Sequence, residues 1–270
     1  MVKICYNNKE MAKILLFLLA GWLVGWLVNY LADVLPATLK LSRPTCLNPD
    51  CRQPYAWGRY LFGRRCPACG RGRGWRAYAV QGICLMAALF LGLQPPARLS
   101  FAPGLILFGY LLTVAVIDLE HRLILAPLSL FGLALALVLG VLLHGWVDTL
   151  IGGVAGFLIL YCFYLFGKIF TRLRARRLGV ADAEEALGSG DVTLATVLGL
   201  LLGWPLIWFA LLMAVLAAGL VSLIILGVAL ARGHYRQQAF NLFIPYAPFF
   251  IFSAVLLLYF PQVVRALLPQ

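Results

Sequence analysis

Two aspartates in this sequence stand at the edges of apolar runs, where an ionisable side chain is costly and is by default a hypothesis about function. Asp118 follows the run 103–117, and Asp191 opens the run 191–203. Two carboxylates held close together cannot both ionise, so such a pair shares one proton. One carboxylate can then activate a water molecule while the other protonates the scissile carbonyl or the leaving amine, which is the chemistry of an aspartic protease.

Each aspartate also has an ordinary explanation. Asp191 can cap the N-terminus of a helix, and Asp118 can be a solvated residue at a helix end. Asp118 and His121 have the i, i+3 spacing of a metal pair, but we identify no further ligands for an ion there. Gly188 and Gly190 favour the catalytic interpretation, because residues without a Cβ let the backbone approach a neighbouring helix or an extended substrate.

Four of the seven cysteines lie in one polar segment, at Cys46, Cys51, Cys66 and Cys69. Two close pairs let two short turns present four sulfurs tetrahedrally, so the spacing predicts a structural zinc site. Disulfides are the weaker explanation in a reducing compartment, and unrelated loop cysteines are the other alternative. The first pair is spaced more widely than is usual. A loop of about 40 residues with so little apolar content cannot build its own core and needs such a cross-link.

The elements that position these residues are expected to be membrane helices. The chain is 63% hydrophobic and 12% charged, with a mean hydropathy of +0.93, which excludes a soluble globular enzyme. A bilayer core needs about 20 apolar residues per helix. Runs of this kind predict an all-α polytopic membrane protein with about eight transmembrane helices and a small zinc-stapled loop. The runs are 14–35, 77–94, 103–117, 123–143, 147–168, 191–203, 205–230 and 243–260.

The distribution of the basic residues, which give a net charge of +12, indicates which side of the membrane each loop faces. Most of the 22 basic residues fall in the predicted loops 36–76, 118–122, 169–190 and 231–242, which all lie on one side if there are eight spans. Positive charge marks the cytoplasmic side, so both aspartates are expected at the cytoplasmic membrane face and both termini outside. The arginine-rich loops fit contact with anionic lipid head groups, and nucleic acid is not needed to explain them.

Five segments follow one another along the chain in an order that is characteristic of one protein family. They are 25–36 (GWLVNYLADVLP), the cysteine segment 46–69, 118–124 (DLEHRLI), 188–192 (GSGDV) and 244–249 (IPYAPF). Together they resemble the type IV prepilin peptidases, membrane aspartic proteases that process type IV pilins and the pseudopilins of type II secretion. The resemblance covers nearly the whole chain.

The resemblance implies eight transmembrane helices and identifies Asp118 and Asp191 as the catalytic pair. It implies cleavage of a basic leader peptide just after a glycine, on the cytoplasmic side of the inner membrane. Bifunctional members, which carry two cysteine pairs in the same place, then methylate the new amino terminus with S-adenosylmethionine.

The chain departs from the family pattern at several positions. Thr193 stands where the family usually has Lys, and the first motif continues as Leu-Ala-Pro127 where Pro-Asp is usual. The cysteine loop is shorter, and Gln81 replaces an expected acidic residue. Cleavage is therefore better supported than methylation.

A basic leader suggests a role for the acidic residues just upstream of the second motif. Asp182, Glu184 and Glu185 are expected to attract the positive charges of the leader. The alternative is a solvated loop whose acids pair with the neighbouring arginines of 172–177.

The sequence thus predicts a first transmembrane helix in 1–35, a zinc-binding, methyltransferase-type loop in 36–76 and a transmembrane peptidase domain in 77–270. One alternative is a leader peptidase without methyltransferase activity. A proton- or cation-coupled transporter is another, but such proteins usually hold their charges near the membrane midplane. A membrane anchor carrying a zinc module would leave the paired aspartates unexplained. The sequence does not specify an oligomeric state.

Overall fold

The computed structural model describes residues 8–46, 48, 50–51, 53–62, 65–96, 99–178, 188–231 and 245–262. These residues form helices joined by turns, and they contain one isolated β-bridge between Thr45 and Pro54. The all-α prediction is therefore confirmed for the part of the chain that is described. The helices are α1 (Asn8–Thr38), α2 (Trp57–Leu61), α3 (Trp75–Leu93), α4 (Phe101–His121), α5 (Ala126–Leu178), α6 (Ser189–Leu202), α7 (Leu206–Ala231) and α8 (Ala247–Tyr259).

Among the described residues, five helices are long and apolar enough to cross a bilayer: α1, α3, α4, α5 and α7. The chain is therefore a multi-pass membrane protein. Helices α6 and α8 are apolar but have only 14 and 13 residues, which at about 1.5 Å per residue is less than the ~30 Å of a bilayer core. Eight spans therefore remain a prediction.

Helix α5 contains two of the predicted spans. Its backbone breaks at Gly145, where φ is 85° and ψ is 174°, so two helices meet there at a kink. Glycine suits this conformation because it lacks the Cβ that would clash at positive φ. The break falls between the predicted runs 123–143 and 147–168.

Two compact units divide the chain, residues 1–117 and 118–270. In the first unit α1 packs closely on α3, since a Cβ on Gly21 would lie 2.8 Å from the Cβ of Ala88. The buried Asn29 side chain donates hydrogen bonds to the carbonyls of Gly25 and Ala77, at 3.0 and 3.1 Å, and so ties the two helices together. The cysteine segment belongs to this unit.

In the second unit α6 is largely buried and packs against α5 through small residues. A Cβ on Gly199 would lie only 2.8 Å from the carbonyl carbon of Gly152. Small residues of this kind let membrane helices approach closely. Both Asp118 and Asp191 lie in this unit, and Asp191 belongs to the first turn of α6.

Candidate active site and metal centre

Asp118 lies in the last turn of α4 and is only 6% exposed. This burial does not fit a solvated helix-end residue. The backbone N–H of Ala247, the first residue of α8, faces its carboxyl group, and the Arg122 side chain acts on it electrostatically. The Oδ2 atom is buried and has no hydrogen-bond partner among the described residues. Asp118 therefore has a free acceptor in a site that is largely closed to bulk solvent.

Arg122 directly follows the last residue of helix α4. Its backbone has a φ of 53°, which is uncommon for a residue other than glycine, and its N–H donates to the Asp118 carbonyl at 2.9 Å. This left-handed residue turns the chain away directly after the aspartate. The segment that follows reaches Ile124, which packs against α6.

Asp191 is the third residue of α6 and is 9% exposed. Its Oδ2 accepts a hydrogen bond from the N–H of Gly188 at 3.3 Å. Gly188, rather than Asp191, occupies the N-cap position. Asp191 therefore accepts the Gly188 N–H from within the first turn of the helix. A carboxylate at this place is favoured by the unpaired N–H groups of the helix. The capping interpretation and a site role are thus compatible.

The first turn of α6 lies against the segment that follows Asp118. A Cβ on Gly190 would lie 2.7 Å from the Cβ of Ile124, closer than real side chains allow, whereas a Cβ on Gly188 would meet nothing nearer than 3.7 Å. Asp118 also acts electrostatically on Asp191. The absence of a side chain at Gly190 therefore permits the approach of the two segments that carry the aspartates.

Thr193, at one of the positions that depart from the family pattern, has a local structural role. Its hydroxyl donates to the Gly190 carbonyl at 2.7 Å and lies 3.4 Å from the Ser129 hydroxyl. The residue thus places a neutral hydroxyl beside the first turn of α6, where an ammonium group would stand in the usual pattern.

The four predicted zinc cysteines converge. The Sγ atoms of Cys46, Cys51, Cys66 and Cys69 all lie within 4.8 Å of one another, with 3.6 Å between Cys46 and Cys69 and 3.8 Å between Cys51 and Cys66. Zinc bound tetrahedrally to four thiolates at ~2.3 Å has sulfur–sulfur edges of about 3.8 Å. The donor set and its spacing therefore fit a structural zinc ion.

A tight turn prepares the second cysteine pair for a metal. The N–H of Gly70 donates to the Cys66 carbonyl at 2.9 Å, and Gly70 itself has a φ of 68°. Backbone N–H groups of Cys69 and Ala68 lower the pKa of the Cys66 thiol to about 6. Because the thiolate is the form that binds a metal, Cys66 is prepared to be a ligand at neutral pH.

The cysteine loop shares a core with the first helix. Tyr55, Tyr60, Cys46 and Cys66 are buried together with Tyr30 and Val34 of α1. The loop has too few apolar residues of its own, and α1 supplies the rest. The prediction that the loop has no core of its own is consistent with this, and the sequence did not indicate that α1 is the partner.

Sequence reasoning missed a buried ion cluster next to this core. Asp33 of α1 accepts hydrogen bonds from Tyr60 at 2.5 Å and from Arg73 at 3.1 Å, and it also pairs with Arg76. Asp33 interrupts an apolar run, so the criterion that identified the other two aspartates would have found it. The contact of Ala247 with Asp118, by contrast, had no signal beyond the 244–249 motif.

The predicted leader-binding acids, Asp182, Glu184 and Glu185, lie outside the described residues. Gly188, Gly190, the two aspartates and the four cysteines all lie within them. The structure thus brings the aspartate segments together in one unit and the cysteines together in the other.

Fold and site together define a multi-pass membrane protein with two buried aspartates on neighbouring segments. Residues 105–225, which include both aspartates, match the sequence profile of the type IV leader peptidase family. The match covers a little under half of the chain and makes this part of it similar to a family of peptidases.

Several relatives are named prepilin leader peptidase/N-methyltransferase, including proteins from Aeromonas hydrophila, Myxococcus xanthus and Pectobacterium carotovorum. The protein from Aeromonas hydrophila is 28% identical over 238 residues, which cover 80% of this chain and 71% of that protein. The Myxococcus xanthus protein is 29% identical over 220 residues, 76% of this chain and 60% of that protein. The Pectobacterium carotovorum protein is 32% identical over 147 residues, 54% of this chain and 49% of that protein. No solved structure matches the chain.

Proposed function

We propose that this chain is a membrane aspartic endopeptidase that removes the basic leader peptide from type IV prepilins or pseudopilins. The observation that carries the proposal is the pair Asp118 and Asp191, both buried, on segments that Gly190 allows to pack together. The match to the leader peptidase profile and the names of the relatives support the same reaction.

In the proposed mechanism the two carboxyl groups share one proton, because two buried like charges close together are unfavourable. The ionised aspartate takes a proton from water, and the water oxygen bonds to the scissile carbonyl carbon. The protonated aspartate gives its proton to the carbonyl oxygen. The resulting diol collapses, the carbon–nitrogen bond breaks, and the leaving nitrogen takes up a proton as the new amino terminus.

The surroundings of the two aspartates are consistent with one acting as the base and the other as the acid. One backbone N–H faces each carboxyl group, from Ala247 at Asp118 and from Gly188 at Asp191. These contacts orient the carboxyl groups and leave acceptor capacity for water and substrate. The unpartnered Oδ2 of Asp118 is a suitable position for the water molecule. The mechanism includes no acyl-enzyme, since no serine or cysteine nucleophile with a neighbouring base was identified in the sequence.

We further propose that the enzyme methylates the new amino terminus, with the 36–76 loop as the methyltransferase region and 77–270 as the peptidase domain. S-adenosylmethionine supplies the methyl group when it is bound. The zinc cysteines hold the loop against α1. Support comes from the names of the relatives and from the converged sulfurs.

The proposed location is the inner membrane, with the aspartates at the cytoplasmic face. The support is the distribution of arginine, which concentrates in predicted loops on one side. Asp182, Glu184 and Glu185 would lie on the same side and attract the leader.

Co-expression with a prepilin tests both reactions. The expected product has lost its leader and carries the mass of one added methyl group, as read by intact mass spectrometry. A product that keeps its leader would overturn the peptidase proposal. A cleaved product without the added mass would leave a leader peptidase and remove the methyltransferase part.

A further inference from the structure

Helix α3 fixes the depth of the first unit in the bilayer. It has 19 residues, or ~28 Å, so its whole length is needed to cross a bilayer core of ~30 Å. Its N-terminal end therefore lies at one membrane boundary. The side chains there support this assignment, since Trp75 and Tyr78 are exposed aromatic residues, as is common at membrane–water interfaces, and Arg76 lies in the first turn.

Helix α1 runs antiparallel to α3, and the contacts between them give the depth of its turns. The Gln81 Nε2 donates to the Trp22 carbonyl at 2.9 Å, whereas Asn29 bonds to the Ala77 carbonyl near the boundary. Gln81 lies six residues, or ~9 Å, beyond the first residue of α3. Trp22 therefore lies well inside the bilayer, while the last turns of α1, which ends at Thr38, extend out of it.

The short helix α2 of the cysteine loop lies beside the part of α1 that is inside the bilayer. We call residues 57–62, which are α2 and the residue that follows it, the α2 wedge. The ring centroid of Trp57 is 6.2 Å from that of Trp26, and the ring centroid of Phe62 is 6.4 Å from that of Trp22. The α2 wedge thus follows α1 inward by one helical turn, and Phe62 is at its deeper end.

The α2 wedge has one face towards the protein and one face away from it. Tyr60 is buried in the core that the cysteine loop shares with α1. Phe62 is 71% exposed, and Trp57 is exposed as well, so these two rings have little cover from the described residues. At the depth of Trp22 the surroundings of the protein are lipid, where an aromatic side chain is favourable.

The charge of this segment complements an anionic lipid surface. Arg59 within α2 and Arg65 shortly after it are both exposed. The sequence 57–65 (WGRYLFGRR) contains no acidic residue. A long arginine side chain can extend from an apolar depth to the head groups, and cations near the membrane surface are attracted to anionic lipids.

We infer that the α2 wedge inserts Phe62 and Trp57 into the lipid interface of the bilayer that α1 and α3 cross, with Arg59 at the anionic head groups. The partner of this surface is the membrane itself. Part of the segment 36–76, which the hydropathy pattern predicts to be a cytoplasmic loop, thus lies within the membrane interface. This membrane contact is independent of the proposed enzymatic activity. Water, a second copy of the chain or another protein are the occupants that an experiment must separate from lipid.

Photocrosslinking of the full-length chain, in nanodiscs of phosphatidylethanolamine and phosphatidylglycerol, identifies what covers Phe62. The variant Phe62→p-benzoylphenylalanine carries the photoreactive group at the deep end of the α2 wedge. Leu41→p-benzoylphenylalanine is the matched control, because Leu41 is 72% exposed in the same segment but follows the end of α1 outside the bilayer. Peptide mass spectrometry measures the phospholipid adduct at each position.

The yield of phospholipid adduct is expected to be about tenfold or more higher at position 62 than at position 41, since transfer of an aromatic side chain to apolar surroundings is favoured by at least that factor. Equal yields at the two positions would place the α2 wedge in water and overturn the inference. A crosslinked dimer, or a crosslink to another protein at position 62, would assign the surface to that partner and also overturn it.

A cysteine pair gives a second measurement with smaller side chains and decides alone if a photoreactive variant does not fold. In the same nanodiscs, a membrane-impermeant maleimide should modify Phe62→Cys about tenfold or more slowly than Leu41→Cys, because a thiol in apolar surroundings rarely ionises. Peptide mass spectrometry identifies the modified position, and circular dichroism checks the helix content. The two rates should become equal in denaturing detergent. Equal rates in the nanodiscs would overturn the inference.

Discussion

At the scale of single residues, the site depends on side chains that are buried in spite of their charge. Asp118 and Asp191 are 6% and 9% exposed, and a backbone N–H faces each carboxyl group. Burying a carboxylate in a membrane protein is strongly unfavourable, so a buried carboxylate is usually retained for a functional role. Burial and the close approach of the two segments together favour a shared proton and activated water over a structural role.

The zinc site gives a prediction at this scale. Cys66→Ser removes the thiolate that backbone N–H groups prepare, so bound zinc should fall from about one ion per chain to nearly none. Methylation should be lost, and leader cleavage should stay within about twofold, because the aspartates lie in the other compact unit. Elemental analysis and product mass are the measurements.

Cys162→Ser is the matched control for that change. Cys162 is an exposed cysteine on α5, far in sequence from the four-sulfur cluster, and its replacement should leave zinc content unchanged. Full zinc content in Cys66→Ser would contradict the metal assignment.

At the scale of elements, the approach of α6 to the end of α4 positions the proposed catalytic pair. Gly190→Ala forces a Cβ to within 2.7 Å of the Ile124 Cβ, so the first turn of α6 must move away. Because a displacement of about 1 Å in an active site can lower the rate about 100-fold, kcat for leader cleavage should fall by roughly that factor. Single-turnover kinetics on a purified prepilin measure this.

Gly188→Ala is the control, since its φ of −76° suits alanine and a Cβ there would meet no atom of the described residues nearer than 3.7 Å. It should cost less than about fivefold in rate, with the same assay. Equal losses in the two variants would show that helix packing at Gly190 does not position the aspartates.

At the scale of the whole molecule, the arginine distribution predicts a topology. Residues 144–146 and 203–205 are expected outside the cytoplasm, and residues 118–122 inside it. Alkaline phosphatase fused after Gly145 or Gly203 should therefore be active, and fused after Arg122 inactive. Activity of the Arg122 fusion would reverse the orientation and with it the cytoplasmic site.

The acidic cluster gives a second prediction for the whole molecule, on residues outside the described part of the chain. Replacing Asp182, Glu184 and Glu185 with Lys should slow leader cleavage several-fold at low salt, because a basic leader is then repelled. The difference should shrink at high ionic strength, where charges are screened over about 3 Å at 1 M salt. If the rate of leader cleavage changes neither with the three substitutions nor with ionic strength, the acidic cluster does not attract the leader.

The sequence predicted where the apolar helices and the cysteine cluster lie, but it predicted few of the contacts between distant segments. Hydropathy located the helices, and the break at Gly145 fell between two predicted spans. Spacing alone identified four cysteines that converge. The run 191–203 already had nearly the length of α6, whereas the run 243–260 was longer than α8, because propensity does not specify where an apolar helix ends.

The contacts between distant segments lay beyond sequence reasoning. Nothing in the order of residues indicated that Ala247 faces Asp118 or that α1 completes the core of the cysteine loop. Such contacts depend on which helices pack together. The periodic spacing of apolar residues shows which face of a helix is buried, but it does not identify the helix that packs against that face. Asp33 was predictable in principle, since it is a charge within an apolar run.

The central claim is that Asp118 and Asp191 carry out the cleavage, and one measurement tests it most directly. Rates of leader removal from a purified prepilin are compared for wild type, Asp118→Asn, Asp191→Asn and Asp148→Asn, the last an exposed carboxylate on α5 as control. The account predicts a loss of at least about 1,000-fold for each of the first two variants and an unchanged rate for the control, since an amide can neither take a proton from water nor supply one. A wild-type rate in either Asp118→Asn or Asp191→Asn would contradict it.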